Sequence, residues 1–274
     1  MIEHAFSRIK RAGLVVTMLA AFAAPALAAP CGSDASGFDA WLRDFRQQAA
    51  AQGISPSTLR VLDGATYDTR VIGLDRNQKH FKVSLDEFIR NRISKGRIAK
   101  GRQMLQRYAS TLARIERQFG VPGPILVAIW GMETDYGANI GKMPVLRSLA
   151  TLAYDCRRTG FFTPQLLDAL RIYQRGDLTL DEMRGAWAGE IGQTQFLPSS
   201  YVRFAVDFDG DGRADLVRSA PDVLASTANY LRGYGWRAGA GWEPGQPNYQ
   251  ALLGWNKAEV YAKALGIFAA RLTQ

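Results

Sequence analysis

Histidine is almost missing from this sequence: two occur in 274 residues, His4 and His80. His4 falls within residues 1–28, which read as a cleaved leader, so the mature chain keeps only His80. Zinc sites of the usual two-histidine or three-histidine kind are thereby excluded, and zinc amidases and zinc peptidases with them. A Ser-His-Asp or Cys-His arrangement would have to use His80, in DRNQKHFKV, and no G-x-S-x-G nucleophile motif occurs anywhere. A phosphate loop is lacking too, because GANIGKM has three residues between its glycines and Met143 after the lysine. Strand-like alternation is scarce, and there is neither an internal repeat nor a Ser/Pro-rich linker.

The leader itself is well marked. Arg8, Lys10 and Arg11 precede the apolar run AGLVVTMLAAFAAPALA, and Ala26-Leu27-Ala28 presents the small residues that a signal peptidase reads. The run from Ala12 to Ala24 is shorter than the ~20 residues that span a bilayer, which favours a signal cleaved near Ala28 over a membrane anchor. Pro30 ahead of Cys31 argues against a lipid anchor. The mature protein is expected in the periplasm, without stable membrane insertion. Cysteine is as scarce as histidine, and the two present, Cys31 and Cys156, are expected to bridge in an oxidising compartment. Such a bridge closes a loop long enough to stabilise by about 4 kcal/mol in the chain-entropy model.

Charge narrows the partners. The leader carries three cations and one carboxylate, so the formal +9 of the whole chain becomes +7 in the mature protein. That balance favours a polyanion: nucleic acid, anionic lipid or an acidic wall polymer, of which nucleic acid is the least suited to an exported protein. Many cations lie in SKGRIAKGRQMLQRYASTLARIERQF, where they read as the solvated face of a helix. With 47% hydrophobic residues the chain can bury a sizeable core.

The organisation reads as helical. Ile98, Met104, Leu105, Tyr108, Leu112 and Ile115 recur at helical spacing up to Gly120, which predicts one long amphipathic helix. A second is expected from Pro124, with Ile125, Ala128, Ile129 and Met132 on one stripe, ending before Gly137. TPQLLDALRIYQR, PDVLASTANYLRGY and NKAEVYAKALGIFAARL continue the pattern, whereas AGAGWEPGQPNYQ reads as an irregular flap.

Within AIWGMETDYGANIGK, Glu133 shares a helix face with Ile129 and Trp130. A carboxyl against such walls is costly to ionise, and a raised pKa suits a general acid that protonates a leaving oxygen. The competing reading is a carboxylate paired with an arginine at a helix end. Asp135 points to the other side and is expected to cap or solvate the turn. In RGAWAGEIGQTQFLPSSY, Trp187, Gln193, Gln195 and Tyr201 combine aromatic faces with amides, as a carbohydrate cleft requires or as a capped aromatic core would. Asp207, Asp209, Asp211 and Asp215 fall at positions 1, 3, 5 and 9 of an EF-hand-type loop, with the Arg213 carbonyl at 7. Position 12 is Arg218, so Asp222 is the candidate to close a shell around a structural calcium or similar hard cation.

VAIWGMETDYG, SLATLAYDCRRTGFF, WAGEIGQTQFLPSSY, VDFDGDGRADL and GWNKAEVYAKALGIFAARL together resemble the lytic murein transglycosylase B family, soluble and membrane-bound, from about Phe38 to the C-terminus. The resemblance implies a mainly α (α+β), lysozyme-like catalytic domain over residues 29–274, in one or two lobes around a glycan cleft, with additional helices and the EF-hand-like loop. It implies cleavage of the MurNAc-GlcNAc bond of peptidoglycan to leave a 1,6-anhydro-muramyl end, with no cofactor for catalysis. One glutamate, Glu133, then acts first as acid and later as base, unlike ordinary glycosidases with two flanking carboxyls. Arg157, Arg158, Gln195, Tyr230, Asn256 and Tyr261 correspond to the family's glycan-binding positions; Asn256, three before Glu259, also fits a capping role. Two positions depart from the pattern: Ala186 stands where a serine often supports the glutamate, and Glu190 where alanine is frequent. The chain ends soon after the catalytic region, so no appended wall-binding domain is expected, although other cell-wall enzymes are expected among its partners. A hydrolysing muramidase and a non-catalytic peptidoglycan-binding protein remain as alternatives.

Overall fold

A computed structural model describes residues 30–78 and 83–274; the leader and His80 lie outside the described residues. Within them the regular structure is nearly all helix. The N-terminal part folds as α1 (Phe38–Ala51), α2 (Pro56–Leu59), α3 (Thr69–Arg76), α4 (Leu85–Arg92), α5 (Lys95–Arg107) and α6 (Ala109–Phe119). After the central α7 (Gly123–Thr134) come α8 (Val145–Tyr154), α9 (Thr159–Arg175), α10 (Pro198–Phe204), α11 (Ala220–Gly233), α12 (Tyr249–Trp255) and α13 (Glu259–Thr273). Many starts are set by local chemistry: the side chains of Asp68, Ser84, Ser94 and Ser219 each accept a backbone N–H from the turn that follows.

The helix expected from Ile98 to Ile115 is two helices. The backbone leaves helical geometry at Tyr108 (φ −107°, ψ 20°), so α5 packs against α7 and α13 while α6 packs against α7 and α11. At the break the Tyr108 ring meets Trp130 edge-on at 5.8 Å. Apolar spacing is the same on both sides of the bend, which is why periodicity does not register it.

α7 is apolar on every side and accordingly sits in the middle of the core, against α5, α6, α11 and α13. Ile125, Leu126, Val127, Ala128 and Ile129 are fully buried. The helix ends because Asp135, Tyr136 and Gly137 all adopt left-handed backbone, at φ 54°, 61° and 80°. This reversal folds the Tyr136 ring back over Gly131, where a Cβ would meet the ring at 2.8 Å, so only glycine fits. Glu133 is thereby carried out of the core on the last turn.

α8 and α9 pack together, with α1 and α3 on α8 and α2 and α10 on α9. The expected disulfide is formed between Cys31 and Cys156, beside a short bridge in which the Gly32 N–H donates to the Tyr154 carbonyl and the Cys156 N–H to the Gly32 carbonyl. The described strands are two residues each, β1 (Met143–Pro144) and β2 (Arg184–Gly185), antiparallel with Met143 opposite Gly185. They anchor the segment that reaches Gln195. The flap before α12 is organised around buried Asn248, whose amide donates to the carbonyls of Arg237 and Ala240 and accepts the Arg237 N–H. Among the described residues no helix is long and apolar enough to cross a membrane.

Candidate active site

A cleft of about 580 Å³ opens at the C-terminal end of α7. Met132 and Glu133 come to it from α7, Tyr261 from α13, Trp255 and Asn256 from the end of α12, and Tyr230 from α11. Phe88 and Arg92 of α4 close one side, and Trp187, Glu190 and Thr194–Leu197 supply the segment after β2. The wall is thus a mixture of aromatic rings and hydrogen-bonding groups, the lining that sugar rings require.

Glu133 is held from one side. The Trp255 indole donates to its Oε1 at 2.8 Å, and the Tyr261 hydroxyl donates to the same oxygen at 2.5 Å. Burial pushes the carboxyl's pKa up; the two donated bonds and the Arg92 guanidinium pull the other way without overcoming it. Burial, and then the neighbouring Glu133 charge, raise Tyr261 well above the ordinary phenol range, so the hydroxyl remains a donor. The partners of Glu133 are an indole and a phenol, and among the described residues no arginine forms the ion pair considered from sequence. Asp135 is separate, with Arg97 Nε donating to its carboxylate at 3.3 Å and Lys100 to its carbonyl at 2.9 Å.

Gln195, Tyr230, Asn256 and Tyr261 all line the cleft with Glu133. Gln195 takes a left-handed backbone (φ 56°) and its amide donates to the carbonyls of Ile140 and Gly192, a costly conformation held in place by its surroundings. Tyr230 donates to the Gly254 carbonyl and stacks on Tyr234 at 4.5 Å. Asn256 accepts the Ala258 N–H just ahead of α13, so it braces that helix while facing the cleft. Two residues of the aromatic-amide stretch are structural. Gln193 accepts the Trp130 indole N–H and donates to the Val217 carbonyl, and Tyr201 is fully buried with its hydroxyl on the Ala214 carbonyl.

Arg157 and Arg158 do not line the cleft around Glu133. Both guanidinium groups engage buried Asp75 of α3, Arg157 through Nε at 2.7 Å and Arg158 through Nη2. Arg158 is nonetheless near enough to Glu190 to favour that residue's charged form.

In the acidic loop, Asp207, Asp209 and Asp211 each bring a carboxylate oxygen within 4.8 Å of the others. Asp207 also accepts the N–H groups of Gly210 and Gly212. Asp215 and Asp222 stand outside this group of three. Asp215 accepts from Val217 and Arg218 and pairs with the Arg213 and Arg218 side chains. Asp222, fully buried, takes the N–H groups of Phe208, Asp209 and Asp215 and so pins the loop's backbone. Three carboxylates on hard oxygen donors suit a cation such as calcium.

The family model described as "Transglycosylase SLT domain" matches residues 37–246. The chain belongs to this family. Among curated proteins, the membrane-bound lytic murein transglycosylase B of Escherichia coli K12 is 35% identical over 164 residues, 57% of this chain and 45% of that relative. The match therefore spans less than half of the relative's length. The crystal structure of SltB3 from Pseudomonas aeruginosa in complex with NAG-anhNAM-pentapeptide is 34% identical, covers 86% of this chain and 79% of that one, and superposes with a TM-score of 0.82. The Escherichia coli lytic transglycosylase Slt35 in complex with calcium has a TM-score of 0.77 at 24% identity, over 89% and 96% of the two chains, a likeness of fold. The mainly helical, lysozyme-like fold expected from the resemblance is the fold found.

Four further residues line the cleft: Trp255 and Phe196 lie inside the motifs GWNKAEV and WAGEIGQTQFLPSSY without a sugar-binding signal of their own, and Phe88 and Arg92 come from α4, outside every motif. Of the two departures, Glu190 lines the cleft, whereas Ala186 has no hydroxyl to give, and the groups that hydrogen-bond the Glu133 carboxyl are Trp255 and Tyr261.

Proposed function

We propose that the chain is a peptidoglycan lytic transglycosylase of the periplasm, cleaving the β-1,4 bond between MurNAc and GlcNAc with formation of 1,6-anhydro-MurNAc. The observation that carries this reading is the one-sided clamp on Glu133. With Trp255 and Tyr261 both donating to Oε1, the acid proton resides on Oε2, and burial makes the carboxyl hold it more tightly than an exposed glutamate would. Oε2–H gives its proton to the bridging oxygen as the MurNAc C1–O bond breaks, and the GlcNAc strand leaves with a free 4-hydroxyl. Glu133, now a carboxylate steadied by its two donors, takes the proton of the MurNAc 6-hydroxyl as that oxygen bonds to C1. No water is consumed and the acid is restored. The anhydro-sugar ligand of the SltB3 structure supports this product.

Gln195, Tyr230, Asn256 and Tyr261 would bind the sugars beside Glu133, with Arg157 and Arg158 contacting glycan farther along. A hard cation, calcium first, would take carboxylate oxygens from Asp207, Asp209 and Asp211 and the carbonyl of Arg213, stiffening the approach to α11; the calcium complex of Slt35 supports it. The single domain from residue 29 to 274 and an exported location, with the disulfide formed, complete the reading. A hydrolysing muramidase is the second reading, because the cleft holds a second carboxyl, Glu190.

The test is the mass of muropeptides released from purified peptidoglycan by the mature protein and by Glu133→Gln. Anhydro-muropeptides from the wild type alone support the proposal. Products heavier by one water identify a muramidase, and intact sacculi from both proteins identify a binding protein.

A further inference from the structure

Glu190 is a carboxyl that the proposed chemistry does not use. It lines the same cleft as Glu133, yet its Oε2 is buried without a hydrogen-bond partner. The backbone N–H groups of Glu190 and Ala188 face the carboxyl, while Oε2 is left unsatisfied. A buried polar oxygen with nothing to bond destabilises the free protein, and a ligand group that bonds it relieves that cost. The groups around it are Glu133 on α7, whose charge disfavours a second negative charge, and Arg158 at the start of α9, which favours one. Arg92 lies across the cleft on α4.

We propose that Glu190 is a glycan-binding residue whose carboxyl turns toward the cleft when substrate arrives, so that Oε2, closed off in the free protein, hydrogen-bonds a hydroxyl or acetamide group of the N-acetylated sugar seated beside Glu133. This rests on the peptidoglycan reading above and adds a specificity determinant to it. Hydroxyls and acetamides both donate and accept, so either matches an uncharged carboxyl, and burial keeps Glu190 in that form more readily than an exposed glutamate. Glutamine, equally uncharged and nearly the same shape, reproduces the contact, whereas alanine removes it. Glu190 neither gives nor takes the reacting proton.

The experiment measures the Kd of soluble GlcNAc-MurNAc strands stripped of stem peptides. It uses Glu133→Gln protein, in which no turnover occurs, alone and combined with Glu190→Ala or Glu190→Gln. Loss of a satisfied hydrogen bond predicts binding weaker by about tenfold for Glu190→Ala and within about threefold of the parent for Glu190→Gln. Removing an unsatisfied buried oxygen also predicts an unfolding midpoint for Glu190→Ala that is unchanged or higher, which a structural role would lower. Unchanged binding in Glu190→Ala overturns the proposal whatever the midpoint, as does equal loss in both variants. The muropeptide masses fail or succeed separately: a wild type that releases hydrated products, or none, overturns the transglycosylase reading while strand affinity still decides the role of Glu190.

Discussion

Trp255, the last residue of α12, donates its indole N–H to Glu133 Oε1 at 2.8 Å across 122 residues of sequence, on the same oxygen that receives the Tyr261 hydroxyl. Both donors stabilise the carboxylate more than the acid, so each lowers the cost of the moment when Glu133 has given up its proton. One oxygen is thereby committed to the protein and the other to the substrate.

Removing either donor should slow turnover and move its pH dependence. Trp255→Phe and Tyr261→Phe leave the carboxylate less stabilised, so the Glu133 pKa rises further and its acid form persists to higher pH. The alkaline limb of kcat moves upward while kcat at its optimum falls by about tenfold, the worth of a hydrogen bond to a charged group. KM for soluble strands changes little for Trp255→Phe and rises for Tyr261→Phe in so far as that hydroxyl also meets the sugar. A pH-rate series on both variants checks this, and an alkaline limb moving downward would contradict the clamp.

The disulfide should matter to stability more than to chemistry. It closes a sequence separation of 125 residues and fixes the segment before α1 against the end of α8. A Cys31→Ser/Cys156→Ser protein is expected to lose about 4 kcal/mol in urea unfolding, by the chain-entropy model. Its anhydro-muropeptide release at a temperature where it remains folded should match the wild type, because neither cysteine lines the cleft.

What could be read in the sequence was local. The apolar run before Glu133 and Gly137 after it act within a turn or two, so the end of α7 and its carboxyl were legible. The disulfide followed from an even count and an export signal. The bend at Tyr108 was hidden because apolar spacing continues through it. The partners of Glu133, and Asp75 beneath Arg157 and Arg158, were hidden for another reason: they come from segments far apart in the chain, and side-chain type alone does not say which indole meets which carboxyl. In the acidic loop, spacing put Asp207, Asp209, Asp211 and Asp215 together, and it could not tell that Asp215 is taken up by Arg213 and Arg218 or that Asp222 is consumed by three backbone N–H groups.

Calcium should raise the unfolding midpoint. Three carboxylates within 4.8 Å repel one another, and a bound cation removes that repulsion while adding its own binding energy to the folded state. At a free concentration a hundredfold above Kd the stabilisation is about 2.7 kcal/mol. Thermal unfolding with calcium and with a chelator checks this, and Asp209→Asn should abolish most of the difference. Magnesium is the control, since its stricter octahedral demand suits a flexible carboxylate loop less well.

Stability should fall as pH rises through the titration of the buried glutamates. Glu133 and Glu190 both have folded pKa values above the ordinary 4.5, chiefly because burial penalises the charged form. The folded state therefore holds its protons more tightly than the unfolded chain does. Their contribution is fully present below the unfolded value and is lost as pH climbs through the folded ones, at about 1.4 kcal/mol for each unit by which folded exceeds unfolded. Other carboxylates impose their own pH dependence, which cancels when variants are compared with the wild type. The stability difference, Glu133→Gln minus wild type, should be smallest below pH 4.5 and grow in favour of the variant as pH rises, and Glu190→Gln should behave likewise. Urea midpoints across the range measure it directly. A difference independent of pH would mean that neither carboxyl is penalised by its burial, and the acid role assigned to Glu133 would then lose its physical basis.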